Sequence, residues 1–172
     1  MRPASKALMR PAWRMDLDPA PLRVWGGIET TEPPLLAHCH ADLLAMLIRM
    51  LGQRERRYPE MIRRREIDTA TAAAEIETFT ALVADWQWMV SGEGAPSPLG
   101  CWPRMIVAID GSLSTIADLA REAGGFSKGL ADQAHHVLAI RWHLDRWIET
   151  RTNAASTHAA RALSSKETTD AA

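Results

Sequence analysis

Histidine and cysteine are the residues of this chain whose types and spacing come nearest to a metal site. Cys39 lies between His38 and His40, and His136 and His143 are seven residues apart in a predicted helix. Residues at that spacing are about 10 Å apart along the helix axis, too far for both to bind one ion. Zinc would therefore require the cysteine segment to fold onto this helix. We predict helix-surface histidines, and neither a metal nor another cofactor.

Motifs that support catalysis are missing from the sequence. Neither Cys39 nor Cys101 stands in a nucleophile motif, and the chain has no Gly-x-Ser-x-Gly, phosphate-binding loop or dinucleotide fingerprint. Glu75 and Glu77 are two residues apart, so on a helix they point to different sides. We predict that the chain is not an enzyme, has no catalytic residues and takes no small-molecule ligand.

A basic cluster between residues 49 and 65 is suited to binding phosphates, because the arginine guanidinium forms paired hydrogen bonds with them. Glu55, Glu60 and the adjoining Glu66 offset its seven arginines. The competing interpretation is a solvated helix face whose arginines pair with these acids and with the next helix. The arginines are Arg49, Arg54, Arg56, Arg57, Arg63, Arg64 and Arg65.

Tryptophan is the main aromatic residue, with seven copies against one tyrosine and two phenylalanines. Trp86, Trp88, Trp142 and Trp147 fall on predicted helices, and one apolar row cannot bury all four. Trp88 lies off the row of its helix. It is either an anchor for a protein partner or part of an extra core layer.

Residues 113–138 could form a helix-turn-helix. The stretch from Thr115 to Gly124 resembles the opening helix and turn glycine of bacterial repressor-type motifs, and Ser127 with Lys128 could begin a recognition helix. Gly125 lengthens the turn, however, and the following helix is long. An ordinary helical hairpin is the other interpretation.

Composition indicates one soluble domain. The chain has 172 residues, 47% of them hydrophobic, and a net charge of -1, which gives no overall attraction to nucleic acid or to anionic membranes. Two isolated cysteines indicate a reducing compartment. No apolar run is long enough to span a bilayer. We expect a cytoplasmic protein with no membrane contact.

The elements that position these residues are predicted to be helices. Leu43, Leu44, Leu47, Ile48 and Leu51 form one apolar row on a helix over about 34–57. Pro59 should kink or restart it. Asp68 should cap a second helix that packs back on the first through a narrow apolar row. Members of this second row are Ala72, Ile76, Phe79, Val83, Trp86 and Val90.

A linker rich in glycine and proline, residues 91–103, should separate this pair from a second one. An apolar row runs from Ile106 to Ala120, and we favour a break near 112–115 within it. Gly124 and Gly125 should end that segment. The last helix should span about 127–151, with Leu130, Ala134, Val137, Leu144 and Ile148 on one side.

The sequence thus predicts an all-α domain, a small bundle of about four helices in two antiparallel pairs, without a convincing strand. The helical domain covers 35–151, with halves 35–90 and 104–151. Residues 1–34 are predicted to be a proline-rich extended arm in which the segment ending at Trp25 docks on the body. Residues 152–172 are predicted to be a disordered tail.

The stretch Arg54 to Leu82 resembles a short helical hairpin found in uncharacterised phage- and prophage-encoded proteins. The sequence pattern of those hairpins has Gly where this chain has Arg65, and Ser or Thr where this chain has Asp68. We therefore expect a reshaped connection between the two helices. The likeness implies a phage or prophage origin. Positions in register are Tyr58, Pro59, Ile62, Ile67, Ala72, Glu75 and Ile76.

We therefore predict a phage-type accessory protein that acts by binding a protein partner or by self-association. The candidate interaction residues are Arg54, Arg57, Tyr58, Arg64 and Trp88. The alternative is a DNA-binding accessory or regulator, which would use the 113–138 segment or the arginine cluster. Its candidate contacts are Ser127, Lys128, Arg56 and Arg63.

Overall fold

The computed structural model describes residues 23–25 and 27–170, and within this part of the chain the fold is all-α, as predicted. The described residues form five helices instead of about four, together with a short antiparallel strand pair. The elements are β1 (Arg23–Trp25), β2 (Ile28–Thr30), α1 (His40–Arg63), α2 (Thr69–Ser91), a 3₁₀ turn (Leu99–Cys101), α3 (Trp102–Glu122), α4 (Lys128–Asp145) and α5 (Trp147–Asp170).

Helix α1 begins later and ends later than predicted. It starts at His40, beyond the Pro33-Pro34 pair, and runs through Pro59 to Arg63 without a break, so the expected restart is wrong. Tyr58 is buried and hydrogen-bonded to Glu75 of α2. This contact holds the chain in helical geometry across a residue that cannot donate a backbone hydrogen bond.

The connection between α1 and α2 keeps the left-handed backbone conformation that the glycine of the resemblance implies. In this chain Arg65 adopts that conformation, with φ 59°. The Arg65 amide bonds to the carbonyl of Ile62 and the Glu66 amide to that of Met61, the two bonds of a Schellman motif. The connection is therefore not reshaped. Asp68 caps α2 as predicted, because its carboxylate accepts the Thr71 amide at 2.8 Å.

The second pair is formed by α3 and α4. Helix α3 passes through Gly111, so the expected break near 112–115 is wrong: Ile109, Leu113 and Ile116 are buried on one face and keep the helix in register. Gly124 and Gly125, both with positive φ, follow its end as predicted. The Ser127 hydroxyl then caps α4 by accepting the Leu130 amide.

Helix α5 replaces most of the predicted disordered tail, since residues 152–170 are helical. Its start is held by tertiary contacts that local sequence does not reveal. The Trp147 ring stacks on Trp86 of α2, with centroids 5.4 Å apart, and His158 packs edge-on against Trp88. From residue 159 to 166 every described side chain is exposed.

The described end of the arm and the linker are both attached to this body. The prediction of no strand is wrong for the described residues, since β1 and β2 form a two-stranded hairpin, and Trp25 packs at 6.5 Å from Phe126. Residues 1–22 of the predicted arm lie outside the described residues. In the linker, the Ser97 amide donates to Asp85 at 2.5 Å and its carbonyl accepts from Arg151.

The hydrophobic core lies between the two hairpins and the start of α5. Each predicted row contributes to it, but α1 and α2 also carry apolar residues that are only partly covered. Ile48 is 51% exposed, and Leu44, Leu51 and Val83 are half-buried. The largest fully buried side chains are Leu43, Leu47, Met50, Phe79, Leu82, Trp86, Met105, Ile109, Val137, Ile140, Leu144 and Trp147.

Candidate functional site

Arg54, a predicted interaction residue, lies in a polar network that joins three helices. Its guanidinium is 3.7 Å from the centroid of the Phe79 ring. The Nε atom donates to Glu75 at 3.2 Å, and Nη2 donates to Ser112 Oγ of α3 at 3.0 Å. Only 18% of the side chain is exposed. Arg54 is thus engaged within the fold.

Tyr58 belongs to the same network. Its phenol is buried and donates a hydrogen bond to the Glu75 carboxylate, which also holds Arg54. Burial, reinforced by this hydrogen bond, raises the pKa of Tyr58 to about 12, so the phenol is a neutral donor at physiological pH. The structure brings Arg54 and Tyr58 together and turns both inward.

The exposed arginines of α1 lie on two different faces. Arg56 and Arg63 are seven residues apart, as are Arg57 and Arg64, and residues seven apart share a helix face while adjacent ones do not. Glu60 pairs with Arg64 at 2.7 Å and also with Arg63. Arg57 forms no ion pair with any residue that the structure describes.

A groove of about 450 Å³ opens at the turn end of the α1–α2 hairpin. Most of its lining is apolar side chain, contributed about equally by the two helices. The lining residues are Glu55, Tyr58, Pro59 and Ile62 of α1, with Thr69, Ala72, Ala73 and Ile76 of α2.

Helical spacing extends this apolar surface along the whole hairpin. Leu44, Ile48 and Leu51 step by four and three residues toward the groove-lining residues of α1. On α2, the half-buried Ile76, Val83 and Val90 recur every seven residues. We call this surface the outer hairpin face and define it by Leu44, Ile48, Leu51, Ile62, Ile76, Val83 and Val90.

Sequence reasoning assigned Ile48 and Val90 to buried rows and did not identify the groove. A signal was present, because the α1 row is two residues wide, with Leu43–Leu44 and Leu47–Ile48 as adjacent pairs. Packing against a single neighbouring helix requires a narrower apolar row than this one. The surplus apolar residues could therefore have been assigned to a second surface.

Trp88 is half-buried on α2. Its ring contacts His158 of α5 edge-on, with centroids 5.4 Å apart, and it packs against the hydrophobic core. This geometry matches an added core layer more closely than a protruding anchor. Its remaining exposed edge lies near the end of α2, away from the groove at the hairpin turn.

The 38–40 segment folds onto α4, where His40 meets His143. His143 is buried, so its predicted surface position is wrong, and its ring lies 5.0 Å from that of His40. Its Nε2 donates to the Ala37 carbonyl at 2.6 Å, and Nδ1 lies 3.0 Å from Thr150 Oγ1. No group of three or more potential ligands among the described residues could hold a metal ion.

The 113–138 segment differs in geometry from a helix-turn-helix, whose helices cross steeply after a short turn. Arg141 of α4 bonds to Asp110 of α3 at 2.6 Å, and Trp102 Nε1 donates to the Leu144 carbonyl at 2.7 Å. Helices α3 and α4 therefore lie side by side along their lengths. Ser127 is used as the cap of α4, and Lys128 is exposed beside it.

Comparisons of the chain with protein-family models, curated proteins and solved structures found no match. No helix in the described part of the chain is long and apolar enough to cross a membrane.

Proposed function

We propose that this chain is a non-catalytic binding protein and that a protein partner docks on the outer hairpin face. The observation that carries the proposal is the open apolar groove at the hairpin turn, which Ile48 and its neighbours continue along α1 and α2. Apolar surface left in water costs about 25 cal/mol per Å². Contiguous patches of this kind are typical of docking sites.

The predicted residues Arg54 and Tyr58 take a supporting role in this proposal. Both bond to Glu75 and so fix the spacing of α1 and α2, and Tyr58 also lines the groove. The resemblance of the hairpin to those of phage- and prophage-encoded proteins extends the proposal to an accessory role in the cytoplasm of a bacterial host. A second copy of the chain as partner is the self-association form of the same proposal.

The test compares the wild-type chain with two charge-insertion variants. Ile48→Lys/Ile76→Lys places charges on the outer hairpin face, and Val107→Lys places one at a 71% exposed site on α3. Circular dichroism checks that each variant is folded. Affinity capture from host lysate detects a partner, and sedimentation velocity detects self-association.

We expect the wild type and Val107→Lys to retain the same partner or the same assembly, and the double variant to lose it. Retention of every interaction by the folded double variant would overturn the proposal. Loss of the interaction in the Val107→Lys variant as well would also contradict docking on the outer hairpin face.

A further inference from the structure

A line of arginines borders the outer hairpin face on its α1 side. Arg49, Arg56 and Arg63 recur every seven residues. Each directly follows a residue on the groove side of α1, which is Ile48, Glu55 and Ile62, respectively. All three arginines are exposed. Their constant spacing places them in one row parallel to the groove, over about 21 Å of helix.

Most of the positive charge in this row is uncompensated. Arg49 and Arg56 form no ion pair with any described residue, and Arg63 shares Glu60 with Arg64. Arg56 lies over Gly52, and its Nη1 atom is 3.3 Å from the position that a Cβ at residue 52 would take. A larger residue at position 52 would occupy part of that space.

The two apolar rows, one on each helix, form the kind of groove into which a third helix packs. In such packing the positions beside the apolar row carry charges that choose the partner and its orientation. We propose that the occupant of the outer hairpin face is an amphipathic α-helix of a partner protein, with acidic residues every seven positions facing Arg49, Arg56 and Arg63. This inference rests on the proposed function.

The α2 edge of the groove orients that helix. Positions 70, 77 and 84 on α2 also recur every seven residues and hold Ala, Glu and Ala, so only the α1 edge attracts a row of acids. Glu55 lines the groove itself, and we expect the partner to place a hydrogen-bond donor opposite it.

The chain itself offers no equivalent helix in the part that is described. The exposed stretch 159–166 of α5 carries Arg161 and Lys166 and no acid, and a second copy of α1 would present the same arginines. Like charges at matching positions repel. Duplex nucleic acid would use the arginines but would leave the apolar groove empty.

The experiment uses fluorescent designed peptides of about six helical turns and the full-length chain. One peptide has leucines on its apolar face and glutamates along one edge at seven-residue spacing, and its twin has lysines at the glutamate positions. Binding is followed by anisotropy at low and moderate salt. The variant Arg49→Glu/Arg56→Glu/Arg63→Glu reverses the row, and Arg121→Glu/Arg161→Glu/Lys166→Glu reverses three exposed charges elsewhere.

We expect the wild type and the control variant to prefer the glutamate peptide by about tenfold, which is what three surface ion pairs supply together. The row-reversed variant should prefer the lysine peptide. Equal binding of both peptides, or an unchanged preference in the row-reversed variant, would overturn the inference.

Two outcomes separate this inference from the proposed function. Failure of both peptides to bind, while the Ile48→Lys/Ile76→Lys variant still loses its captured partner, refutes the acidic helix and leaves the docking face intact. The other outcome is salt-sensitive binding of a random-sequence duplex that is lost in the row-reversed variant, with no preference between the two peptides. That outcome assigns the arginines to nucleic-acid binding and also refutes the acidic helix.

Discussion

At the scale of single residues, His143 illustrates how a buried polar side chain is accommodated. Its ring bridges the segment before α1 and the start of α5 through Ala37 and Thr150. Because the carbonyl of Ala37 can only accept, Nε2 carries the proton and Nδ1 accepts from the threonine hydroxyl. Burial, with the nearby positive groups, lowers the pKa of His143 to about 4.

We expect this histidine to make stability fall in mild acid. Its pKa is about 4 in the folded chain and near 6.5 when unfolded. The unfolded state therefore binds the proton first, and the contribution present above pH 6.5 is lost as the pH falls toward 4. The loss is of the order of 3 kcal/mol. Denaturant unfolding across this range measures it.

The control for this prediction is His143→Gln, which cannot titrate. Its unfolding free energy should be lower than that of the wild type at pH 7 but should decline less between pH 6.5 and 4. Parallel curves for the two proteins would show that another group causes the acid dependence.

At the scale of elements, two glycines show how the same residue type has opposite roles. Gly111 lies inside α3 with open space where a Cβ would be. Gly92 ends α2 with φ 76°, and the His158 ring of α5 lies 3.1 Å from the Cβ position. The first glycine only weakens its helix, whereas the second permits the turn and the close approach of α5.

Gly111→Ala should therefore stabilise the chain by about 0.5–1 kcal/mol, because alanine loses less backbone entropy in a helix and meets no neighbour here. Chemical denaturation of the wild type and the variant gives the difference. A destabilised variant would mean that the α3 backbone at this point needs a conformation that alanine resists.

Gly92→Ala should be destabilising by about 1–2 kcal/mol from the left-handed conformation alone, with a further cost from the contact with His158. The double variant Gly92→Ala/His158→Ala separates the two effects, since it removes the ring and keeps the backbone strain. We expect the double variant to recover part of the unfolding free energy that Gly92→Ala loses, once the effect of His158→Ala alone has been subtracted. No loss in Gly92→Ala would contradict the assigned role of this cap.

At the scale of the whole molecule, the first half of α5 joins the two hairpins. Trp147 is buried and stacked on Trp86, and Arg151 bonds to the linker at Ser97. His158 is the last residue of α5 with a described contact to another element. On the helical turns beyond it, the side chains of residues 159–166 are all exposed.

Removal of residues 159–172 should change the unfolding free energy by no more than about 0.5 kcal/mol, because the side chains of residues 159–166 are exposed. Trp147→Ala, by contrast, should cost about 3–5 kcal/mol because it empties part of the core. Thermal and denaturant unfolding of both variants provide the comparison. A large loss on truncation would contradict a purely surface role for this segment.

Local sequence determined where α2 and α4 begin and where α3 ends. The cap at Asp68, the start of α4 near Ser127 and the turn at Gly124 were predictable, because each depends on backbone hydrogen bonds and φ angles within a few residues. The apolar periodicity likewise indicated two helical hairpins. Such features do not depend on what the helices pack against.

Tertiary structure decided which faces are covered and where charged groups go. Helical periodicity shows that Leu43 and Ile48 are near one apolar row but not that the first is buried and the second half exposed. Arg54 faces inward because Phe79, Glu75 and Ser112, distant in sequence, surround it. The partial exposure of the outer hairpin face likewise depends on how the helices pack. Long-range packing sets these outcomes, so sequence alone could not predict them.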